Sequence, residues 1–224
     1  MNQRVTFFGL LKHRECLFPT WKGLLLIIII VGGFVSLTMM RLQPFLSLTD
    51  PIQADILVVE GWVADDVLEE AMVEYKRGHY RKIYVTGGTI EYGSSMYTFN
   101  TYADLGTAIL VKMGLSSSEV EAVPAPSVRR DRTYASALAL KKKFHQQADK
   151  ITGINLVSAG VHARRSQLLF QQAFGNELRV GIFSIEDRYN QGEKWWTYSD
   201  GVRGVTDELF AYFYALLVFP FIGI

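Results

Sequence analysis

The chain has 224 residues, 49% of them hydrophobic and 20% charged, with 23 Lys and Arg against 22 Asp and Glu for a formal net charge of +1. This near-neutral balance gives no global attraction to nucleic acid or to a strongly anionic surface, so any charge effect is local. A single cysteine, Cys16, excludes an intrachain disulfide and a multi-cysteine metal site, and histidines at 13, 79, 145 and 162 show no ligand spacing, which argues against structural zinc.

Along the chain, Arg4, Lys12, Arg14 and Lys22 face only Glu15 before an uncharged run over residues 23–40. Eighteen residues at 1.5 Å each cover most of a ~30 Å hydrocarbon layer, so the run predicts a transmembrane helix. Trp21 and Lys22 mark one interface and Arg41 the other, and the excess of positive charge before the run puts residues 1–22 in the cytoplasm and the rest outside. A cleaved signal peptide is the competing reading, but the apolar run is long for one and no small-x-small site follows it. Residues 41–54, with Pro44 and Pro51, read as a linker, and a folded domain is expected over 55–205.

Within that domain the pattern predicts strands over 56–59, 83–85, 120–123, 151–157 and 180–185. Helices are predicted over 64–77, 101–113, 131–147 and 166–174, and a polar loop over 89–97. Strands apolar on both faces, alternating with helices, require a parallel sheet covered on both sides, an α/β doubly wound architecture. Residues 206–224 form an apolar, aromatic tail broken by Pro220; the part before the proline is too short to cross a bilayer, so it reads as a helix on the sheet or at the membrane surface.

The most informative run is Ser158-Ala159-Gly160-Val161-His162-Ala163-Arg164-Arg165, which turns a buried strand into a helix and leaves a His and two Arg at the carboxyl edge of the sheet. Open α/β sheets bind ligands at that edge, where helix amino termini carry unpaired N–H groups, and a cationic cluster suits an anion. Gly87-Gly88 either admits a phosphate close to the backbone or permits a tight turn. Arg129, Arg130 and Arg132 form either a planar-donor clamp for phosphate oxygens or a solvated turn paired to Asp131. His162 is either a proton donor and acceptor or a cap of the turn, and Glu60 is either a site carboxylate or a partner of a helix amino terminus. Trp195-Trp196 shields a pocket, meets lipid headgroups or packs under a loop.

Residues 55–61, Tyr75 to Gly78 leading into 83–88, Thr133-Tyr134 with Ala137, and 158–165 resemble in order and spacing the ElyC/SanA/YdcF family of Rossmann-like domains, over roughly residues 55–179. The resemblance implies a single amino-terminal anchor, a place in the cell envelope, a role in envelope integrity or in peptidoglycan lipid-carrier metabolism, and possible envelope-protein partners. It also implies, as an alternative, a nucleotide-type ligand such as S-adenosylmethionine held without catalysis, or a scaffold. His162 with Arg165 matches the family's His-x-x-Arg element. The glycine-rich turn after the first strand is reduced here to Gly61 between Glu60 and Trp62. The family's Thr-x-Glu-Asn-Ala pattern reads Thr133-Tyr134-Ala135-Ser136-Ala137.

The site expected from these residues joins His162 and Glu60, as proton-handling groups, to Gly61, Gly87, Gly88, Arg129, Arg130, Arg132, Thr133 and Arg165 as ligand contacts. No metal is expected, and no cofactor is named by the residues. The partners expected are the cytoplasmic membrane and a lipid-linked or nucleotide-type phosphate.

Overall fold

The computed structural model describes residues 5–6, 11–12, 18–90, 98–147, 151–186 and 192–222, in two compact units, Met1–Met39 and Met40–Ile224. The first contains most of helix α1 (Trp21–Leu46), whose 26 residues are long and apolar enough to cross a membrane and are not covered by other parts of the chain over the apolar window. Much of the charged segment before it, residues 1–4, 7–10 and 13–17, lies outside the described residues.

The second unit holds a five-stranded, all-parallel sheet: β1 (Ile56–Glu60), β2 (Lys82–Gly87), β3 (Val120–Pro124), β4 (Gly153–Ala159) and β5 (Arg179–Ile185), in the order β3-β2-β1-β4-β5. Strands are added outward from β1 to β3, then the chain crosses back to place β4 on the other side of β1. The order reverses between β1 and β4, in the register Val59 opposite Val157. Helices α2 (Asp65–Arg77), α3 (Tyr102–Lys112), α4 (Arg132–His145) and α5 (Ala163–Phe174) connect the strands, and α6 (Ser199–Leu217) with the short α7 (Phe219–Ile222) ends the described chain.

The two-residue period of the strands decides which helices cover which face. Ile56, Val58, Tyr84, Ile154, Leu156 and Ile182 pack with Leu140 and Phe144 of α4 and Phe170 and Phe174 of α5. Their alternates Leu57, Val59, Ile83, Val85 and Val157 pack with Val67, Leu68 and Ala71 of α2 and Leu110 of α3. Each fully buried Phe or Leu contributes roughly 1.5–3 kcal/mol through the apolar surface it removes from water. Both faces are therefore dry, as a parallel sheet requires.

Helix ends follow the sequence signals. Thr101 accepts from the amide of Asp104 at 3.1 Å to cap α3, and Gly175, at φ +59°, ends α5. The 3₁₀ turn Gly160–His162 joins β4 to α5, so the last helix of the sheet begins three residues before the predicted start at 166. The predicted loop over 89–97 is described only at 89 and 90; residues 91–97 lie outside the described residues, while Thr89 and Thr101 pair across its base.

Two boundaries move furthest from the sequence reading. Helix α1 does not end at Met40 but continues through Leu46, with Pro44 inside its last turn, and the remainder of 41–54 is docked rather than free. Gln43 and Leu46 are buried. Asp50 forms an antiparallel bridge with Ile182, its amide donating at 2.8 Å and its carbonyl accepting at 3.1 Å. Asn155 brackets Ile52, accepting from its amide at 2.9 Å and donating to its carbonyl at 2.8 Å. The physical reason is the outer edge of β5, whose unpaired backbone groups this segment satisfies. At the other end, α6 starts at Ser199, seven residues before the predicted 206, because Gly201, Val205, Glu208 and Ala215 make a buried stripe at helical spacing.

Candidate functional site

The carboxyl ends of β1 and β2, the turn that follows β4 and the amino ends of α4 and α5 border a cavity of about 610 Å³, with α6 forming one wall. Small-molecule sites commonly occupy about 300–1,000 Å³. Nine of the ten expected site residues line it: Glu60, Gly87, Gly88, Arg129, Arg130, Arg132, Thr133, His162 and Arg165. Gly61 does not.

Glu60 ends β1 and is 2% exposed. Its Oε2 accepts from Ser158 Oγ at 2.5 Å and from Ser166 Oγ at 2.9 Å, so two hydroxyl groups hold one carboxylate oxygen. Ser158 closes β4 and Ser166 lies in the first turn of α5, one residue past Arg165. The carboxylate therefore ties the central strand to the strand and helix across the point where the sheet order reverses. A buried carboxylate without such donors is strongly unfavourable, which explains two serines in otherwise apolar settings.

Glu208, near the middle of α6, lies at the centre of the charge arrangement. Arg165 donates to it through both Nε, 2.7 Å from Oε2, and Nη2, 2.9 Å from Oε1, a bidentate pair. His162 Nδ1 lies 2.6 Å from Glu208 Oε1, an ion-pair distance at an angle too steep for an aligned hydrogen bond. Burial alone pushes the Glu208 carboxyl upward, but His162 and Arg165 outweigh it and hold it down to about 2. Burial pulls the Arg165 guanidinium down, and Glu208, then Glu60 and Asp131, raise it above its ordinary value, so it stays charged. The His162 ring also meets Trp62 edge-on, with centroids 4.8 Å apart.

The arginine turn occupies another part of the cavity lining. Arg129, Arg130 and Arg132 are exposed, and Arg130 Nε is 3.7 Å from Asp131 Oδ2. Asp131 has φ +57° and is the only non-glycine residue with positive φ among the described residues. That left-handed step reverses the chain into α4, whose amino terminus has no side-chain cap and whose Thr133 and Ser136 line the cavity. An uncapped helix start carries unpaired N–H groups and the positive end of the helix dipole. Four arginines, at 129, 130, 132 and 165, thus share the cavity with three acids, Glu60, Asp131 and Glu208.

The two glycines of the β2 turn have different reasons for being glycine, and neither has positive φ. A Cβ on Gly87 would stand 2.7 Å from Tyr102 Cβ and 2.9 Å from the Ala103 amide nitrogen, so Gly87 admits the start of α3. Gly88 faces open space, its nearest neighbour being Pro126 O at 3.9 Å. Gly61, expected as a ligand contact, instead lets α3 pack: a Cβ there would lie 2.3 Å from Tyr102 O.

Sequence reasoning missed Glu208, Ser166 and the wall residues Ala211, Tyr214 and Ala215; it named Asp131 only as the local partner of the arginine turn, a pairing seen here with Arg130, and Ser158 only as the start of the strand-to-helix run. The available signal for Glu208 was its place on the buried stripe of α6, as the last acid before an uncharged tail. Trp195 is buried beside Trp196, and a Cβ on Gly201 would lie 2.4 Å from its carbonyl, so the pair packs under the start of α6; neither lines this cavity, but Trp195 lines a neighbouring one of about 320 Å³ that Trp62 and His162 also border. Among the described residues no group of three or more His, Cys, Asp or Glu is placed to hold a metal ion. Compared with known proteins, the chain matches no family model and no curated protein sequence.

Proposed function

We propose that this is a single-pass membrane protein whose α/β domain, Rossmann-like in its 3-2-1-4-5 strand order, lies outside the cytoplasm and binds a phosphorylated, carrier-type ligand in the cavity at the β1–β4 reversal. This reading makes it an envelope protein of the ElyC/SanA/YdcF type. The observation that carries it is the convergence there of Arg129, Arg130, Arg132 and Arg165 with an uncapped start of α4 and the open backbone at Gly88. Parallel α/β sheets place ligands at such a reversal, and guanidinium forks with helix N–H groups are the donors that phosphate oxygens take. His162, whose Nδ1 stands 2.6 Å from Glu208 Oε1, is the group suited to move a proton at the ligand.

A second reading, a module that senses a nucleotide-type ligand without turnover, is favoured by one observation: Arg165 and His162 are already engaged by Glu208. The two differ in whether product forms, and His162→Ala should abolish turnover while sparing binding only in the first.

The test is calorimetric titration of the full-length protein in detergent with isoprenyl phosphates and with nucleotides. Arg132→Ala is expected to weaken phosphate binding about tenfold or more, at least ~1.4 kcal/mol. Equal affinity in the two proteins, or no binding of any phosphate to the unmodified chain, would reduce the arginine turn to a solvated helix start.

A further inference from the structure

The outer face of α6 and α7 has an unusual composition. Phe210 is 74% exposed and Phe221 86%, and Phe213, Leu217 and Val218 are also exposed. From Phe210 onward every exposed position described is apolar, whereas the exposed positions of the first half of α6 include Arg203 and Asp207. Contiguous exposed apolar surface of this kind marks an interaction site.

What covers it is indicated by the end of α1. Phe45 lies five residues beyond Met40, about 7 to 8 Å along a continuous helix. Its ring meets Tyr212 of α6 edge-on at 5.6 Å, and Tyr212 in turn meets Phe213 at 5.8 Å. Arg164 fixes the same point, its guanidinium lying 4.1 Å over the Phe45 ring and donating to the Phe45 carbonyl. An aromatic ridge therefore runs without interruption from the end of the apolar helix onto the exposed face of α6. Tyr is enriched at membrane–water interfaces, and Tyr212 stands beside the end of α1.

We infer that the outer face of α6 and α7 lies on the lipid surface of the same bilayer that α1 enters, sunk about 5–10 Å as an interfacial helix. The inference rests on the membrane-anchor reading above. It is not a second span: Glu208 is held in the domain by Arg165 and His162, and Ala215 packs against Leu169 and Phe219. A helix with one face closing the cavity and the other in lipid brings the cavity wall to the membrane surface.

The test uses the full chain with Cys16→Ser, reconstituted in lipid nanodiscs. A fluorophore is attached through Phe210→Cys, Phe221→Cys, Val73→Cys or Ile29→Cys, one at a time. Nitroxide lipids labelled at shallow or deep positions, and a water-soluble nickel chelate, serve as quenchers. The expected result is strong shallow-lipid quenching and weak nickel quenching at 210 and 221, the reverse at 73 on α2, and deep-lipid quenching at 29. Nickel access at 210 and 221 equal to that at 73, with 29 still deep, overturns the inference and leaves the anchor standing. Strongest quenching of 221 by the deep lipid overturns it in favour of a span. Shielding of 210 and 221 from every quencher, in discs holding two chains, overturns it in favour of a second copy. Nickel access at 29 removes the anchor and the inference together.

Discussion

Glu208 is the residue on which the site's electrostatics turn, because it pairs with Arg165 and stands against His162 from a helix that is distant in sequence. Its carboxyl is held at about 2, against an ordinary 4.5, so the folded state prefers the ionised form more than the unfolded state does. A depressed carboxyl stabilises above its unfolded pKa and loses that stabilisation as pH falls through its folded value. The contribution is therefore complete at neutral pH and fades between about pH 4.5 and about pH 2. That depression corresponds to roughly 3 kcal/mol. Glu208→Gln is expected to lower stability at pH 7 by about that amount, since it leaves a buried guanidinium without its counter-charge. The two proteins should converge as pH approaches 2. Urea unfolding of both between pH 7 and pH 2 checks this, and parallel curves with a constant offset would show that the ionised carboxylate is not the source.

At the level of elements, the site is shaped by how closely α3 approaches the ends of β1 and β2. Gly61, Gly87 and Gly106 make that approach, with a Cβ on Gly106 only 3.0 Å from Val85 Cγ1 and 3.2 Å from Gly61 Cα. A methyl group at Gly61 would press on the backbone carbonyl of Tyr102, which cannot rotate away as a side-chain tip can. Gly61→Ala is expected to cost at least about 1–3 kcal/mol, the usual range for overpacking, and Gly87→Ala a similar amount. Gly88→Ala, facing open space, should leave stability nearly unchanged. Thermal melts of the three variants decide it; equal, small shifts would mean that α3 is free to move. The Gly87-Gly88 pair was legible in the sequence as a special turn, but which glycine serves packing depends on where the next helix lies, and no local pattern states that.

For the whole molecule, the decisive property under the proposed function is the side of the membrane on which the α/β unit would lie. The positive charges before the apolar helix, Arg4, Lys12, Arg14 and Lys22 against Glu15, favour a cytoplasmic amino terminus. A reporter that functions only outside the cytoplasm, fused after Ile224, is expected to be active, and a cytoplasm-only reporter at the same point silent. The opposite pattern would reverse the orientation and remove the envelope from the proposed function, while leaving the cavity's chemistry as described.

The sequence by itself determined the elements and the class of fold. Strands apolar on both faces, such as those read at 56–59 and 151–157 and found at 56–60 and 153–159, have only one stable setting, a parallel sheet with helices on each side, and Thr101 and Gly175 marked helix ends through backbone chemistry that acts within a few residues. It also brought out the residues that follow strands and so share one edge, His162, Arg165, Glu60 and Gly87. What it did not contain is who meets whom across the fold. Glu60 finds Ser158 and Ser166 at separations of 98 and 106 residues, and Arg165 finds Glu208 at 43. Periodicity records that a position is buried, but a buried acid has no local sign of its partner. Only the strand order and the packing of α6 decided that the apolar tail would supply the counter-charge of the site.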